Sequence, residues 1–147
     1  MLNDLLAGTI VSFLNFGIHA AMTGLIVVAT RHTASLTDEL AMVLRLTALL
    51  TVTMTALMAA HVAEIAVWAG YLNLAGIEVR GADKFEFAFE NYTALGYGDA
   101  LPVNGRRVLG PIIALNGLLL IGWSIAVIFE VMRMAELQIG RDRDRAG

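Results

Sequence analysis

The residues of this sequence that could do chemistry lie in two places, a glycine-containing segment and a pair of ionisable side chains. The segment from Asn91 to Pro102 reads NYTALGYGDALP, and its Gly96 and Gly98 indicate a backbone that is neither helix nor regular strand. The pair is His61 and Glu64, which stand three residues apart and would share one face of a helix. An irregular backbone presents free carbonyl groups, and an imidazole beside a carboxylate can exchange a proton or form a hydrogen bond.

Composition decides the environment of these residues. Of 147 residues, 58% are hydrophobic and 16% charged, with mean hydropathy +0.72, whereas an ordinary soluble domain carries about 25% charge. This is the composition of a membrane protein. The absence of cysteine excludes disulfides, thiolate metal sites and a cysteine nucleophile. A net charge of -3 with a single lysine leaves no basic stripe, so nucleic acid is excluded as a partner.

Three segments are long and apolar enough to span a bilayer as helices. Leu5 to Thr30 contains 26 residues without formal charge, about 39 Å of helix against a hydrocarbon core of about 30 Å. A polar loop is predicted from Arg31 to Glu39. A second helix is predicted from Leu40 to Leu72, and a third has its charge-free part from Val108 to Phe129. The predicted fold class is therefore an all-α membrane protein with three transmembrane helices.

The distribution of basic residues predicts an orientation in the cell (inner) membrane. Six arginines fall on the side of the first loop and the C-terminus: Arg31, Arg45, Arg133, Arg141, Arg143 and Arg145. Four basic residues fall on the other side: Arg80, Lys84, Arg106 and Arg107. The excess predicts that the N-terminus lies outside and the C-terminus in the cytoplasm. The predicted segments are 1–39 (first helix and cytoplasmic loop), 40–135 (the second and third helices with the segment between them) and 136–147 (short cytoplasmic tail).

The segment between the second and third helices is predicted to enter the membrane without crossing it. Asp83 followed by Glu86 is typical of a helix start, and the helix that follows is predicted to end near Ala94. Eleven residues of helix cover about 16 Å, roughly half a bilayer. Non-helical backbone at membrane depth is tolerated only where it is buried in protein or lines a water-filled path. A re-entrant helix followed by Gly96 and Gly98 therefore indicates a conduit.

The string Leu95-Gly96-Tyr97-Gly98-Asp99 resembles the filter of the potassium-channel pore-domain family, the bacterial two-transmembrane-type ion channel pore, here with one extra N-terminal helix. This resemblance implies a selectivity-filter loop, four copies of which surround one axis in a homotetramer. Backbone carbonyls would then replace the hydration shell of an ion.

The resemblance also implies roles for individual residues. The filter would comprise Thr93, Ala94, Leu95, Gly96, Tyr97 and Gly98, with K+ bound at Leu95, Gly96 and Tyr97. Glu90 and Asp99 would support the filter from behind, sharing a proton, unless Glu90 simply faces solvent. An inner cavity or gate would comprise Asn116, Gly117, Leu120 and Ser124. Gly117 could be a hinge or, alternatively, a close-packing contact.

Two departures from the family pattern predict weaker ion selectivity. Ala94 stands where the family usually has threonine, so the innermost ion site should lose a ring of hydroxyl oxygens. Phe87 stands where bacterial relatives often have a tryptophan that braces the filter, and phenylalanine cannot donate a hydrogen bond.

The intramembrane polar pair, His61 and Glu64, admits two interpretations. It could be a proton sensor or couple helix packing to the filter, or it could be a neutral hydrogen-bonded pair that fixes helix register. Two ligands are too few for a metal site. His19, in the first helix, is interpreted as a packing or interfacial residue.

These observations predict a tetrameric channel that conducts K+ passively, with a selectivity that could be relaxed. Its partners would be monovalent cations, membrane lipid and further copies of itself, with no cofactor beyond the permeant ions and no enzymatic activity. The alternative is a non-conducting membrane scaffold or accessory subunit that uses the pore fold for assembly.

Overall fold

The computed structural model describes residues 2–37 and 41–146, without the side chains at position 104 and at 138–146. In chain order the elements are α1 (Leu2–Leu36), α2 (Met42–Leu74), β1 (Val79–Arg80), α3 (Lys84–Tyr92), β2 (Leu101–Pro102), a short 3-10 helix (Val103–Gly105) and α4 (Leu109–Ala146). Apart from one two-residue strand pair, the regular structure of the described residues is helical. The predicted all-α class is confirmed.

Three of these helices are long and apolar enough to cross a membrane. They are Leu2–Leu36, Met42–Leu74 and Leu109–Leu137. Even the shortest, with 29 residues, measures about 44 Å at 1.5 Å per residue, which exceeds a hydrocarbon core of about 30 Å. The three spans fit a multi-pass membrane protein.

The predicted loop from Arg31 to Glu39 is wrong for its described part, because α1 continues to Leu36. The segment contains no glycine or proline to end the helix. Its polar side chains also bond within the helix: the Ser35 hydroxyl donates to the His32 carbonyl at 2.7 Å, and the Thr37 hydroxyl to the Thr33 carbonyl at 2.7 Å. Residues 38 and 39 lie outside the described part.

The other helix boundaries follow the sequence more closely. The prediction that the short helix starts at Asp83 is confirmed, but α3 ends at Tyr92, two residues before the expected end. The helix α4 begins one residue after the expected start. Its backbone stays helical to Ala146, beyond the expected charge-free part, because no proline follows Phe129 to interrupt it.

The chain divides into two compact units that cut across the long helices: Met1–His19 with Ala60–Gly122, and Ala20–Ala59 with Trp123–Gly147. The core of the first unit contains Val11, Ile65, Trp68, Leu72, Ile77, Phe87, Ala88, Tyr92, Ala100, Leu109, Ile113 and Leu120. That of the second contains Ile26, Ala34, Leu49, Leu57, Val127, Val131 and Ala135. The three predicted segments along the sequence stay a prediction.

The strand pair of the first unit joins the two ends of the segment that contains α3. Val79 pairs with Pro102 and Arg80 with Leu101 in antiparallel register. Gly81, with φ +93°, follows β1 and approaches the backbone of Asp99 so closely that a Cβ would lie 2.3 Å from the Asp99 carbonyl oxygen. Only glycine fits both this dihedral and this contact. The strands and Gly81 thus close a loop around residues 82–100.

Candidate functional site

The irregular segment after α3 follows directly from a well-capped helix. The Asp83 carboxylate accepts hydrogen bonds from the backbone N–H groups of Phe85 and Glu86, both at 2.8 Å, which satisfies two of the free donors at the start of α3. At the other end, the N–H of Ala94 donates to the Asn91 carbonyl at 2.9 Å. The helix is therefore anchored at both ends and delivers the chain into the segment from a defined direction.

The sign of φ alternates along this segment. Ala94, Gly96 and Gly98 have φ of 55°, 57° and 81°, in the left-handed region. Leu95 and Tyr97, which stand between them, do not have positive φ. A backbone in which φ alternates in this way can turn successive N–H groups to one side and leave the carbonyl groups free to face away from them. Such a backbone can offer a row of carbonyl oxygens to a ligand.

The side chains of the segment are not covered by their own chain. Residues 93–99 are all exposed, and the exposed fractions reach 55% for Leu95 and 70% for Tyr97. Large apolar and aromatic side chains exposed together are typical of a surface that contacts a partner. The Thr93 side chain is also exposed, but it is held by hydrogen bonds: its hydroxyl donates to the Phe89 carbonyl at 3.0 Å and to the Glu90 carbonyl at 3.2 Å.

Behind the segment lies a pocket of about 120 Å³, lined in part by Glu90, Gly96, Gly98 and Arg107. Glu90 is half-buried and Asp99 is exposed. The pKa of the Glu90 carboxyl is raised above its usual value, mainly by partial desolvation and to a smaller extent by the negative charges of Asp99 and Glu86. The negative charge of Asp99 therefore acts on the Glu90 carboxyl, as expected if the two lie near each other. Their role at the filter stays a prediction.

The face of α4 predicted to line a cavity is turned into the protein. Asn116 is 2% exposed, Leu120 is fully buried and Ser124 is 6% exposed. Gly117 packs so tightly on the end of α3 that a Cβ would lie 1.9 Å from the Tyr92 carbonyl oxygen. These side chains are therefore buried within a single chain, and the assignment of the four residues to an inner cavity or gate stays a prediction. Gly117 is a close-packing contact within an unbroken helix, and Asn116 is part of a buried polar network.

The intramembrane pair is part of a larger cluster. The Nδ1 atoms of His19 and His61 lie 2.8 Å and 3.2 Å from the two carboxylate oxygens of Glu64. The Tyr92 hydroxyl donates to Glu64 and lies 2.7 Å from His61 Nδ1. Glu64 and His19 are fully buried. One carboxylate thus joins α1, α2 and α3.

Sequence reasoning missed two members of this cluster, His19 and Tyr92. A usable signal existed for His19, because an ionisable residue inside a charge-free span is costly unless it has a partner in the protein. No signal pointed to Tyr92, which stood among several aromatic residues of the same short helix.

A second set of buried hydrogen bonds ties α4 to the same region. The Asn15 amide donates to the Asn116 side-chain oxygen at 3.0 Å and to the Glu64 backbone carbonyl at 3.2 Å. The Trp68 indole N–H donates to the same Asn116 oxygen at 2.9 Å. Such bonds between buried groups fix the rotation of each helix, because a turned helix would leave them unpaired.

Comparison with known proteins agrees with the sequence resemblance. A family model described as "Ion channel" matches residues 58–134, which is 77 of 147 residues and includes α3, the irregular segment and most of α4. No curated protein and no solved structure matches the chain. The matched stretch exceeds half of the sequence and contains the irregular segment after α3. The chain therefore belongs to the ion channel family, as its resemblance to potassium-channel pore domains predicts.

Proposed function

We propose that four copies of this chain form a channel for monovalent cations, with K+ preferred, in which the carbonyl oxygens of Leu95, Gly96 and Tyr97 line a common axis. The alternating sign of φ along residues 94–98, within the part of the chain that matches the ion channel family, carries this proposal. Four loops are needed because a single loop reaches an ion from one side only, whereas a ring of carbonyls can replace its hydration shell.

Two further features support this arrangement. The exposed side chains of Leu95 and Tyr97 would be covered by neighbouring copies around the axis. The nine-residue helix α3 would be re-entrant, and its C-terminal end carries a partial negative charge of about half an elementary charge. Directed toward the axis, four such helix ends would favour a cation in the cavity beside the filter.

We further propose that the filter discriminates K+ from Na+ less strictly than one with a hydroxyl ring at its inner end. Ala94 has no oxygen in its side chain. The Thr93 hydroxyl donates to carbonyls of its own helix at 3.0 and 3.2 Å, which holds its oxygen beside α3, one residue before the position that lacks the hydroxyl. The innermost site would then lack the ring of side-chain oxygens at position 94.

The orientation proposed from the arginine distribution has the N-terminus outside, the C-terminus in the cytoplasm and the filter near the outer face of the cell (inner) membrane. The exposed apolar side chains of the three long helices would contact lipid, with examples in Ile10, Phe13 and Val28 of α1.

Flux measurements with a matched pair of glycine variants test the proposal. Gly96 has φ +57° and Gly76, just after α2, has φ +61°, and a methyl group added at either position would have no heavy atom closer than 3.9 Å. Alanine therefore imposes about the same left-handed strain at both positions, about 1–2 kcal/mol. Purified wild type, Gly96→Ala and Gly76→Ala are placed in liposomes loaded with K+ or Na+.

We expect K+ flux in wild type and in Gly76→Ala, with a smaller Na+ flux, and loss of flux in Gly96→Ala although that protein still assembles. Chemical cross-linking in the liposomes should yield tetramers for all three proteins. If wild type passes no K+ between pH 5 and 8, the channel proposal fails and a non-conducting scaffold is the remaining function. If the two variants behave alike, the filter assignment fails.

A further inference from the structure

The buried cluster around Glu64 has the composition of a metal site. We propose that His19, His61 and Glu64, completed by the Tyr92 hydroxyl, bind one late first-row divalent cation such as Zn2+. One ligand atom from each of the first three residues lies within 4.8 Å of the others. The proposal concerns a site apart from the filter and does not depend on ion conduction.

The donor atoms lie close enough together to surround one ion, although most of their contacts are shorter than in a four-coordinate site. Bonds of about 2.0–2.1 Å in a tetrahedral site place neighbouring ligand atoms about 3.3 Å apart. His19 Nδ1 lies 2.8 Å from one Glu64 oxygen and His61 Nδ1 lies 3.2 Å from the other. The Tyr92 oxygen lies 2.7 Å from His61 Nδ1 and also contacts Glu64. An ion could enter if these groups moved apart by about half an ångström or more, and coordination would then replace the hydrogen bonds.

The charge of the cluster also favours a cation. Glu64 is fully buried, and its carboxylate lies against two imidazoles and a phenol. Buried charges in proteins are as a rule paired with an opposite charge or bound to a metal. Imidazoles bind a metal in their neutral form, so a divalent ion would supply the positive charge beside the carboxylate.

The donor types select the class of ion. Two imidazole nitrogens with two oxygens suit zinc and its late first-row neighbours, whereas magnesium and calcium prefer oxygen alone. The site would join α1 through His19, α2 through His61 and Glu64, and the end of α3 through Tyr92.

Metal binding to the full chain tests this proposal, and the chain offers a matched control. His32 is a third histidine, also in α1, and is exposed. Wild type, His19→Gln and His32→Gln are purified without a polyhistidine tag, loaded with Zn2+, separated from free ion and analysed for metal. Co2+ loading gives a second readout, because a four-coordinate Co2+ site absorbs strongly in the visible.

We expect one equivalent of Zn2+ per chain and the visible Co2+ bands in wild type and in His32→Gln. His19→Gln should bind Zn2+ at least 100-fold more weakly, since loss of a direct ligand exceeds the 10–100-fold effect of a supporting residue. Absence of Co2+ bands in wild type would overturn the proposal, as would equal Zn2+ affinity of the two variants. Should His19→Gln fail to fold, His61→Gln, whose side chain is 17% exposed, replaces it with the same expectation.

Discussion

Replacement of Gly117 by alanine tests the close contact between α4 and the end of α3. A Cβ at this position would lie 1.9 Å from the Tyr92 carbonyl oxygen, whereas ordinary contact begins at 3.4 Å. The α4 backbone and the end of α3 must therefore separate by about 1.5 Å. The obstructing atom belongs to the backbone, so no change of side-chain rotamer can relieve the clash.

The magnitude follows from two opposing effects. Alanine within a helix is favoured over glycine by about 1 kcal/mol. Overpacking costs typically about 1–3 kcal/mol and more where the neighbour cannot move aside. Because the obstructing atom belongs to the backbone, we take the overpacking cost at its upper end, about 3 kcal/mol, and expect a net loss of about 2 kcal/mol in the free energy of unfolding. Because Tyr92 ends α3 immediately before the proposed filter, the same displacement should also reduce K+ flux if the proposed function holds.

Gly122→Ala is the matched control, since it lies in the same helix and nothing stands within 4 Å of its added Cβ. It should keep wild-type flux and gain up to about 1 kcal/mol from helix propensity. Denaturant titration in mixed micelles measures the stability of both variants, and liposome flux measures conduction. The reasoning is refuted if Gly117→Ala is as stable and as conductive as Gly122→Ala.

Two further perturbations address α3. Asp83→Ala removes the acceptor of two backbone N–H groups and should lower stability by about 1 kcal/mol in the same titration, whereas Asp83→Asn keeps a good capping residue and should lose little; equal losses would contradict the capping role. Desolvation and the charges of Asp99 and Glu86 raise the pKa of the Glu90 carboxyl. The folded state therefore binds this proton more tightly than the unfolded state, and the free energy of unfolding falls as the pH rises from the unfolded pKa through the folded pKa. Glu90→Gln should therefore be more stable than wild type at pH 7, and this difference should disappear below about pH 4.3. Thermal denaturation of both proteins at pH 7 and below about pH 4.3 measures the difference. A wild type that is as stable as Glu90→Gln at pH 7 would contradict the prediction.

Several features could be predicted from the sequence because neighbouring residues determine them. Asp83 ahead of an apolar stretch indicated the start of α3, and its cap satisfies donors only two and three residues away. Gly96 and Gly98 indicated left-handed backbone, since glycine adopts it without steric cost. The three spans were recognisable because the bilayer demands about 20 apolar residues from any helix that crosses it.

Other features depend on how the helices pack and could not be derived from local pattern. The part of α4 up to Phe129 has no charged residue to mark a solvent-facing side, so its sequence did not indicate that Asn116 and Leu120 face the interior. His19 meets Glu64 from 45 residues away, and Tyr92 reaches it from the end of another helix. These contacts depend on the rotation and crossing of α1, α2 and α3. Only the tertiary structure decides them, because buried hydrogen bonds form between partners that the sequence keeps far apart.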